Sequence, residues 1–430
     1  MKSQILLTCL IATVAMISFA PRSQADSWPG FRGAAGTGIS TETNLPTTWS
    51  ASTNIKWQID LPGRGNSSPV ATKNRIYVTA QTEDFGLWLI AIEKHSGKLI
   101  WKKKLASGEL AASGEKNLYA HRHNPATPTV AASESQVWAF FGTGDLFCLN
   151  AAGKQQWHRN LVDDYGDYDI AFGMASSPRL WKGNIYINCT TKGPSYVLAL
   201  DVSNGKTRWK KERNFEAEED GADAYSSPVV WQRLNREELL VAGKDHLNSY
   251  DLNTGEQKWF SAGFKVKSPY GRIIASPAVS TDVIVQCAGN PGGGGIGRVI
   301  AIRPGGNGDV TQSGRLWSIE RTAPDGATPV CYGDYVYLVR ANGITICADL
   351  KTGEKLWEER VAQGEYFCST IAGDNKVYVL GTTGVCTVIE AGPKFNRLAE
   401  NKLSGVFYAS PAISDGILFL RSENSLFAIE

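Results

Sequence analysis

Ala199-Leu-Asp-Val-Ser-Asn-Gly-Lys-Thr-Arg-Trp209, Ser249-Tyr-Asp-Leu-Asn-Thr-Gly-Glu-Gln-Lys-Trp259 and Cys347-Ala-Asp-Leu-Lys-Thr-Gly-Glu-Lys-Leu-Trp357 are three copies of one phrase. In each, a β-prone run ends at an Asp whose side chain can bond a turn backbone. A Gly able to adopt positive φ follows, and a Trp closes the unit. Upstream lie short β-branched and aromatic runs of strand type, such as Arg75-Ile-Tyr-Val78, Asn184-Ile-Tyr-Ile187, Tyr335-Val-Tyr-Leu338 and Lys376-Val-Tyr-Val379. A Ser/Thr-Pro step opens the unit. Self-similarity at a period of about 50 residues marks the blades of a β-propeller. No stretch after the leader keeps a helical period.

Two series count the blades. The openings are Ser68-Pro69, Thr127-Pro128, Ser177-Pro178, Ser227-Pro228, Ser276-Pro277, Thr328-Pro329 and Ser410-Pro411, with Ser369-Thr370 as a degenerate copy. The closing aromatics are Trp57, Trp101, Trp157, Trp209, Trp259, Trp317 and Trp357, with Leu398 standing in for an eighth. The series are out of step at the ends: Trp57 precedes every opening, and the last unit stops before any Trp. Pairing Ile55–Leu61 with Leu426–Ile429 completes the last blade and leaves no open sheet edge. The expectation is an all-β ring of eight four-stranded antiparallel blades, forming a single domain over residues 26–430.

Residues 1–25 read as a signal peptide: Lys2, an apolar run from Ile5 to Phe19, and small residues at Ser23-Gln-Ala25. The run is about 15 residues, short of the ~20 of a membrane span. Cys9 lies within it without lipoprotein spacing. The expectation is a soluble, monomeric product in the periplasm or outside the cell, released by cleavage near Ala25-Asp26.

 Removing residues 1–25 takes away Lys2 and Arg22 and no acid, so 42 basic and 42 acidic residues remain. That balance gives no electrostatic case for nucleic acid. Of eight cysteines, seven follow Cys9. Cys148, Cys189, Cys347 and Cys386 fall in strand-like runs, where a small buried hydrophobe is the expected role. No two cysteines are adjacent and no Cys-x-x-Cys-His exists, which excludes ordinary c-type haem attachment.

The Ala-x-Asp-x-x-Thr-Gly-Lys/Glu-x-x-Trp phrase resembles the tryptophan-docking repeat of quinoprotein alcohol dehydrogenases and the pyrroloquinoline-quinone-like (PQQ-like) propeller superfamily. That superfamily includes the propeller lipoprotein of the outer-membrane β-barrel assembly machinery. The likeness covers essentially the whole mature chain and implies that the seven Trp pack between adjacent blades. The run Ala301-Ile-Arg-Pro-Gly-Gly-Asn-Gly-Asp-Val310 is similar to secreted bacterial PQQ-like proteins of undefined activity. The resemblance also implies a functional face at the channel mouth, where the quinoprotein relatives carry their cofactor.

Blade geometry delivers to that face the connections into each opening strand and those between second and third strands. The candidates are Asn66, Ser67, His121, Arg122, His123, Asn124, Asp169, Tyr225, Lys244, Asp245, His246, Tyr270, Arg272, Arg340 and Tyr408. Aromatic rings mixed with cations suit a planar anionic ligand; an ordinary polar loop set is the plainer alternative. His121 and His123 alternate on one segment, yet no local Asp, Glu or Cys completes a metal site. The Asp turns lack EF-hand spacing. Gly292–Gly297 runs into a strand, so it reads as a long mouth loop instead of a phosphate cradle. Glu216-Ala-Glu-Glu-Asp220 reads as a solvated loop. Two function classes follow: a non-enzymatic exported propeller binding a protein, peptide or glycan at its mouth, with no cofactor, or a PQQ- and calcium-dependent dehydrogenase oxidising alcohols or sugars.

Overall fold

Eight antiparallel sheets follow one another around a ring in the structure, a computed structural model describing residues 27–110, 122–290 and 296–430. The leader, its cleavage site and Cys9 lie outside those residues, as do His121 and most of the Gly292–Gly297 run. Blades 1 to 7 open at Val70, Ala131, Arg179, Val229, Ala278, Val330 and Ile371, in chain order. Blade 8 combines Ala412–Ser414, Ile417–Arg421 and Ser425–Ile429 with the N-terminal strand Ile55–Asp60. Its closing register runs from Ile55 opposite Ile429 to Asp60 opposite Ser425, as the phase mismatch requires. Blade 4 alone takes a fifth strand, Gly308–Asp309, parallel to Trp259–Phe260.

Burial follows position in the blade. Second strands such as Lys376–Leu380 are buried at four of five residues, because neighbouring blades cover both faces of the sheet. Outer strands such as Lys355–Arg360 bury only Trp357 fully. Among the described residues no helix is long and apolar enough to cross a membrane.

Five of the seven closing Trp follow one local device, whereas Trp357 packs on Phe395 and donates to the Gly392 carbonyl. In the five, a β-bulge interrupts the pairing of third and outer strands beside the Trp, as between Ala199 and Leu200 opposite Trp209. The indole then lies against the turn Gly of the next blade: Trp57 on Gly97, Trp101 on Gly153, Trp157 on Gly205, Trp209 on Gly255 and Trp317 on Gly353. Its N–H donates to a carbonyl of that next blade, for example from Trp57 to Lys94 at 2.9 Å and from Trp209 to Leu252 at 3.0 Å. Trp259 differs. Blade 5 replaces the tight turn with the 303–314 excursion, and the Trp259 indole donates to the buried Glu238 carboxylate at 2.7 Å.

Two sequence expectations need correction. Leu398 does not stand in for the eighth Trp: Ala399 pairs with Val388 at the equivalent bulge, while Leu398 is 38% exposed. A one-residue slip puts a strand side chain on the opposite face. No tight hairpin exists in blade 8 to receive an indole, because the chain ends meet there. Trp49 is buried instead in the apolar cluster against which Ala399 packs, with its backbone N–H on Asn401 Oδ1 at 2.8 Å. The second correction concerns blade 2, where Thr129, not Thr127, is the structural counterpart of Ser68.

That correction comes from a closed belt of hydrogen bonds. Ser68 N–H donates to Thr129 Oγ1 at 2.8 Å, Thr129 to Ser177, Ser177 to Ser227, Ser227 to Ser276 and Ser276 to Thr328. Thr328 continues to Ser369, Ser369 to Ser410, and Ser410 returns to Ser68 at 3.0 Å. Every blade contributes one hydroxyl, and all eight surround the channel axis.

The N-terminal segment 28–40 closes the far end of the channel. It bonds the first strands of four blades, through Ala71, Ala132, Val230 and Ala372. Fully buried Arg32 donates to the Thr328, Pro329 and Thr370 carbonyls, and Arg179 reaches back to Phe31, Gly33 and Ala34. The plug is held by backbone carbonyls gathered around guanidinium groups.

Candidate channel-mouth site

Above the plug lies a cavity of about 260 Å³. Its floor is Phe31 and the eight-hydroxyl belt. Its wall obeys a simple rule: the residue two before each belt hydroxyl lines it in every blade. Those residues are Asn66, Thr127, Ala175, Tyr225, Ile274, Gly326, Phe367 and Tyr408. Extended backbone explains this, since alternate residues face the same side. Arg122, His123, Phe172, Arg272 and Asp325 complete the lining.

The two wall arginines lie over aromatic rings. The Arg272 guanidinium sits 4.5 Å from the Phe172 centroid and 5.8 Å from that of Tyr225, and pairs with Asp220. Arg122 lies 4.9 Å from the Phe367 centroid and donates to Glu365 at 3.1 Å. Phe367 and Tyr408 are neighbours, with centroids 6.2 Å apart. The acidic stretch expected to be merely solvated therefore supplies Asp220, the counter-charge of Arg272. Cation–π contact with a paired carboxylate fixes both guanidiniums in position.

His123 shares a 2.8 Å hydrogen bond between Nδ1 and the Thr127 hydroxyl. Burial pulls its pKa down to about 4, against opposing contributions from the Gly173 and Phe172 carbonyls, so the ring is neutral at pH 7. Asn124 shapes the turn: its amide donates to the Arg64 carbonyl at 3.0 Å and its oxygen accepts from Ala126 N–H. Asn66 donates to the Arg122 carbonyl at 2.5 Å. Behind Tyr225, burial raises the Asp223 carboxyl to about 6.

Not every candidate reaches this cavity. Lys244 and Asp245 form a left-handed turn, at φ of 49° and 56°, on a separate groove facing the 215–222 loop. Burial raises the Asp245 carboxyl to about 6 there, while the Lys244 ammonium is lowered, mainly by burial. His246 stacks on Phe215 at 4.4 Å. Arg340 pairs with Glu358 at 3.3 Å within blade 6. These residues sit on turns between second and third strands, which lie farther from the axis than the connections entering the belt. Phe31, Phe172, Phe367 and Asp325 were not among the candidates. Phe367 was legible through the two-before rule; Phe31 carries no mark in the repeat.

A quinone cofactor with calcium does not fit this donor set. Calcium takes six to eight oxygen ligands, usually with several carboxylates. The cavity lining offers one carboxylate, Asp325, and among the described residues no group of three or more His, Cys, Asp or Glu is arranged to hold a metal. All seven cysteines outside the leader are buried and unpaired, and burial pushes Cys148 and Cys189 up to about 12.

Residues 30–218 and 190–430 match the family model described as outer membrane protein assembly factor BamB. BamB of Burkholderia pseudomallei (strain K96243) is 27% identical over 97 residues, covering 22% of this chain and 24% of that protein. The aligned stretch thus spans about a quarter of that relative's length. Among solved structures, BamB from Moraxella catarrhalis superposes with a TM-score of 0.62 at 14% identity, covering 87% of this chain and 98% of that one. A europium-containing methanol dehydrogenase gives 0.69 at 9% identity, with 94% and 91% covered. Quinohemoprotein alcohol dehydrogenase from Comamonas testosteroni gives 0.64 at 13%, with 95% and 81% covered. At these identities the structural matches establish the propeller fold alone.

Proposed function

This chain belongs to the outer membrane protein assembly factor BamB family, and from that premise we propose that it is an exported, non-enzymatic binding module whose channel mouth engages a polypeptide partner. The carrying observation is the mouth cavity. Four aromatic rings, Phe172, Tyr225, Phe367 and Tyr408, and two positioned guanidiniums converge above a floor closed by Phe31. A closed floor makes the channel a receptor and not a conduit. Aromatic and arginine side chains are the residues that dominate binding hot spots. The "assembly factor" description of the family favours a polypeptide over a glycan, and the single carboxylate of the described lining, Asp325, speaks against the calcium-dependent dehydrogenase alternative. The leader-like segment 1–25 supports a location outside the cytoplasm.

Photo-crosslinking in the native envelope tests this reading. A photoreactive residue at position 408 or 367 should give discrete protein adducts. The same probe at Leu234, 98% exposed on the opposite face, should not. Adducts at Leu234 alone would refute the mouth assignment. Saturable binding of PQQ with Ca²⁺, together with alcohol or sugar oxidation using an artificial electron acceptor, would overturn the non-enzymatic reading.

A further inference from the structure

The cavity floor presents eight hydroxyl groups whose hydrogens remain free to donate. Each belt hydroxyl oxygen accepts one backbone N–H from the neighbouring blade. Among the described residues, none of the eight hydroxyl hydrogens has a protein acceptor. The nearby carbonyls point elsewhere. Those of Ser67, Pro228, Thr328, Pro329 and Thr370 are taken by Arg421, Arg179 and Arg32.

Those three guanidiniums are fully buried, and their hydrogen-bond partners are carbonyl and hydroxyl oxygens with no carboxylate among them. Each therefore brings an uncompensated positive charge close behind the belt. Converging hydroxyl donors backed by buried cations favour an anion, because hydrogen bonds to an ionised acceptor are the strong ones. Asp325 is the one carboxylate of the described lining, and it stands on the wall three residues before the belt hydroxyl of Thr328. The rest of the wall is mixed, with four aromatic rings, Phe172, Tyr225, Phe367 and Tyr408.

Size narrows the anion. The cavity, about 260 Å³, falls just below the roughly 300–1,000 Å³ of sites that enclose drug-sized ligands. The plug blocks the far end, so a ligand enters from the mouth and stops at the belt. We propose that the cavity receives the C-terminal carboxylate of a partner polypeptide, with an aromatic last side chain against Phe367 and Tyr408. This rests on the polypeptide-binding reading of the mouth and adds which part of the partner enters. Capture of a chain end through its carboxylate is an established mode of peptide recognition.

A fluorescein-labelled peptide ending in Phe tests the proposal by anisotropy with the full chain, as the free acid and as the C-terminal amide. The acid should bind saturably and the amide at least about tenfold more weakly, since the amide cannot accept charge-assisted hydrogen bonds. Phenylpropionate, a small acid of the same chemistry, should compete only at much higher concentration. Ser227→Ala should shrink the acid-to-amide ratio, whereas Phe367→Ala should weaken both peptides alike. Thermal melting shows that each variant is folded. Equal binding of acid and amide, binding of neither, or phenylpropionate competing on equal terms with the peptide would each overturn the proposal. Mouth-face crosslinks that persist beside such a result would leave the scaffold reading standing.

Discussion

Replacing Gly97 by alanine isolates the contact between neighbouring blades. Gly97 has φ of +71°, and a Cβ there would lie 2.8 Å from Trp57 Cδ2 and 3.0 Å from Cγ and Cε3. Gly333 supplies the control: its φ is +61°, and nothing lies within 4 Å of its added Cβ. Both substitutions force alanine into the left-handed region, at a cost of about 1–2 kcal/mol each. Gly97→Ala must also displace a buried indole, which adds about 1–3 kcal/mol of overpacking. Urea unfolding at unchanged slope should therefore place Gly97→Ala below Gly333→Ala by that second amount. Trp57→Ala should cost about 3–5 kcal/mol, because the ring is 8% exposed and its N–H is bonded. Combined with it, Gly97→Ala should lose its extra cost, as expected for coupled neighbours. Equal midpoints for Gly97→Ala and Gly333→Ala would refute the idea that the indole against the turn Gly locks adjacent blades.

Trp49→Ala should destabilise by about 3–5 kcal/mol, as a large buried truncation, while Leu398→Ala should stay within about 0.5 kcal/mol, both read by urea titration. Asp223 titrates near 6 in the folded protein against an ordinary 3.8, because burial disfavours its charge. Its contribution to stability is full below about pH 4 and is lost as pH rises through about 6, so Asp223→Asn should flatten that part of the stability–pH profile. Intact-mass measurement on protein from the native envelope should give a chain beginning at Asp26; retention of Met1 to Ala25 would refute the leader assignment.

The blade count and ring closure are legible in the sequence because packing imposes them. An indole against a left-handed turn tolerates only Gly, and Trp57 without a preceding blade has one edge to complete. Leu398 misled because a bulge shifts the register by one residue, and a bulge leaves no mark in residue type. Thr127 misled for a related reason: Pro128 mimics the opening step two residues early, and only the hydrogen bond from Ser68 identifies Thr129. The plug was not legible at all. Arg32 and Arg179 bind main-chain carbonyls, which every residue possesses, so their partners carry no signature. Lys244 and Arg340 were misplaced in radius and not in face, since one sequence repeat does not distinguish inner from outer turns.

The belt also separates what the fold requires from what the site can vary. At the belt position all eight blades carry Ser or Thr, because each must accept the neighbouring N–H close to the axis, where no bulky side chain fits. Two residues earlier the same strands carry Asn66, Thr127, Ala175, Tyr225, Ile274, Gly326, Phe367 and Tyr408, with no shared chemistry. These wall residues face the same cavity but take no part in the belt's hydrogen bonds; the Thr127 hydroxyl bonds His123 instead. Substitution there should change what the cavity binds while leaving the ring closed. Substitution at the belt should disturb both. The aromatic residues cluster in blades 4, 7 and 8, and Arg272 and Arg122 lie over two of these clusters. The ring is thus nearly symmetric in its scaffold and asymmetric in its wall, which orients a ligand within an otherwise eightfold receptor.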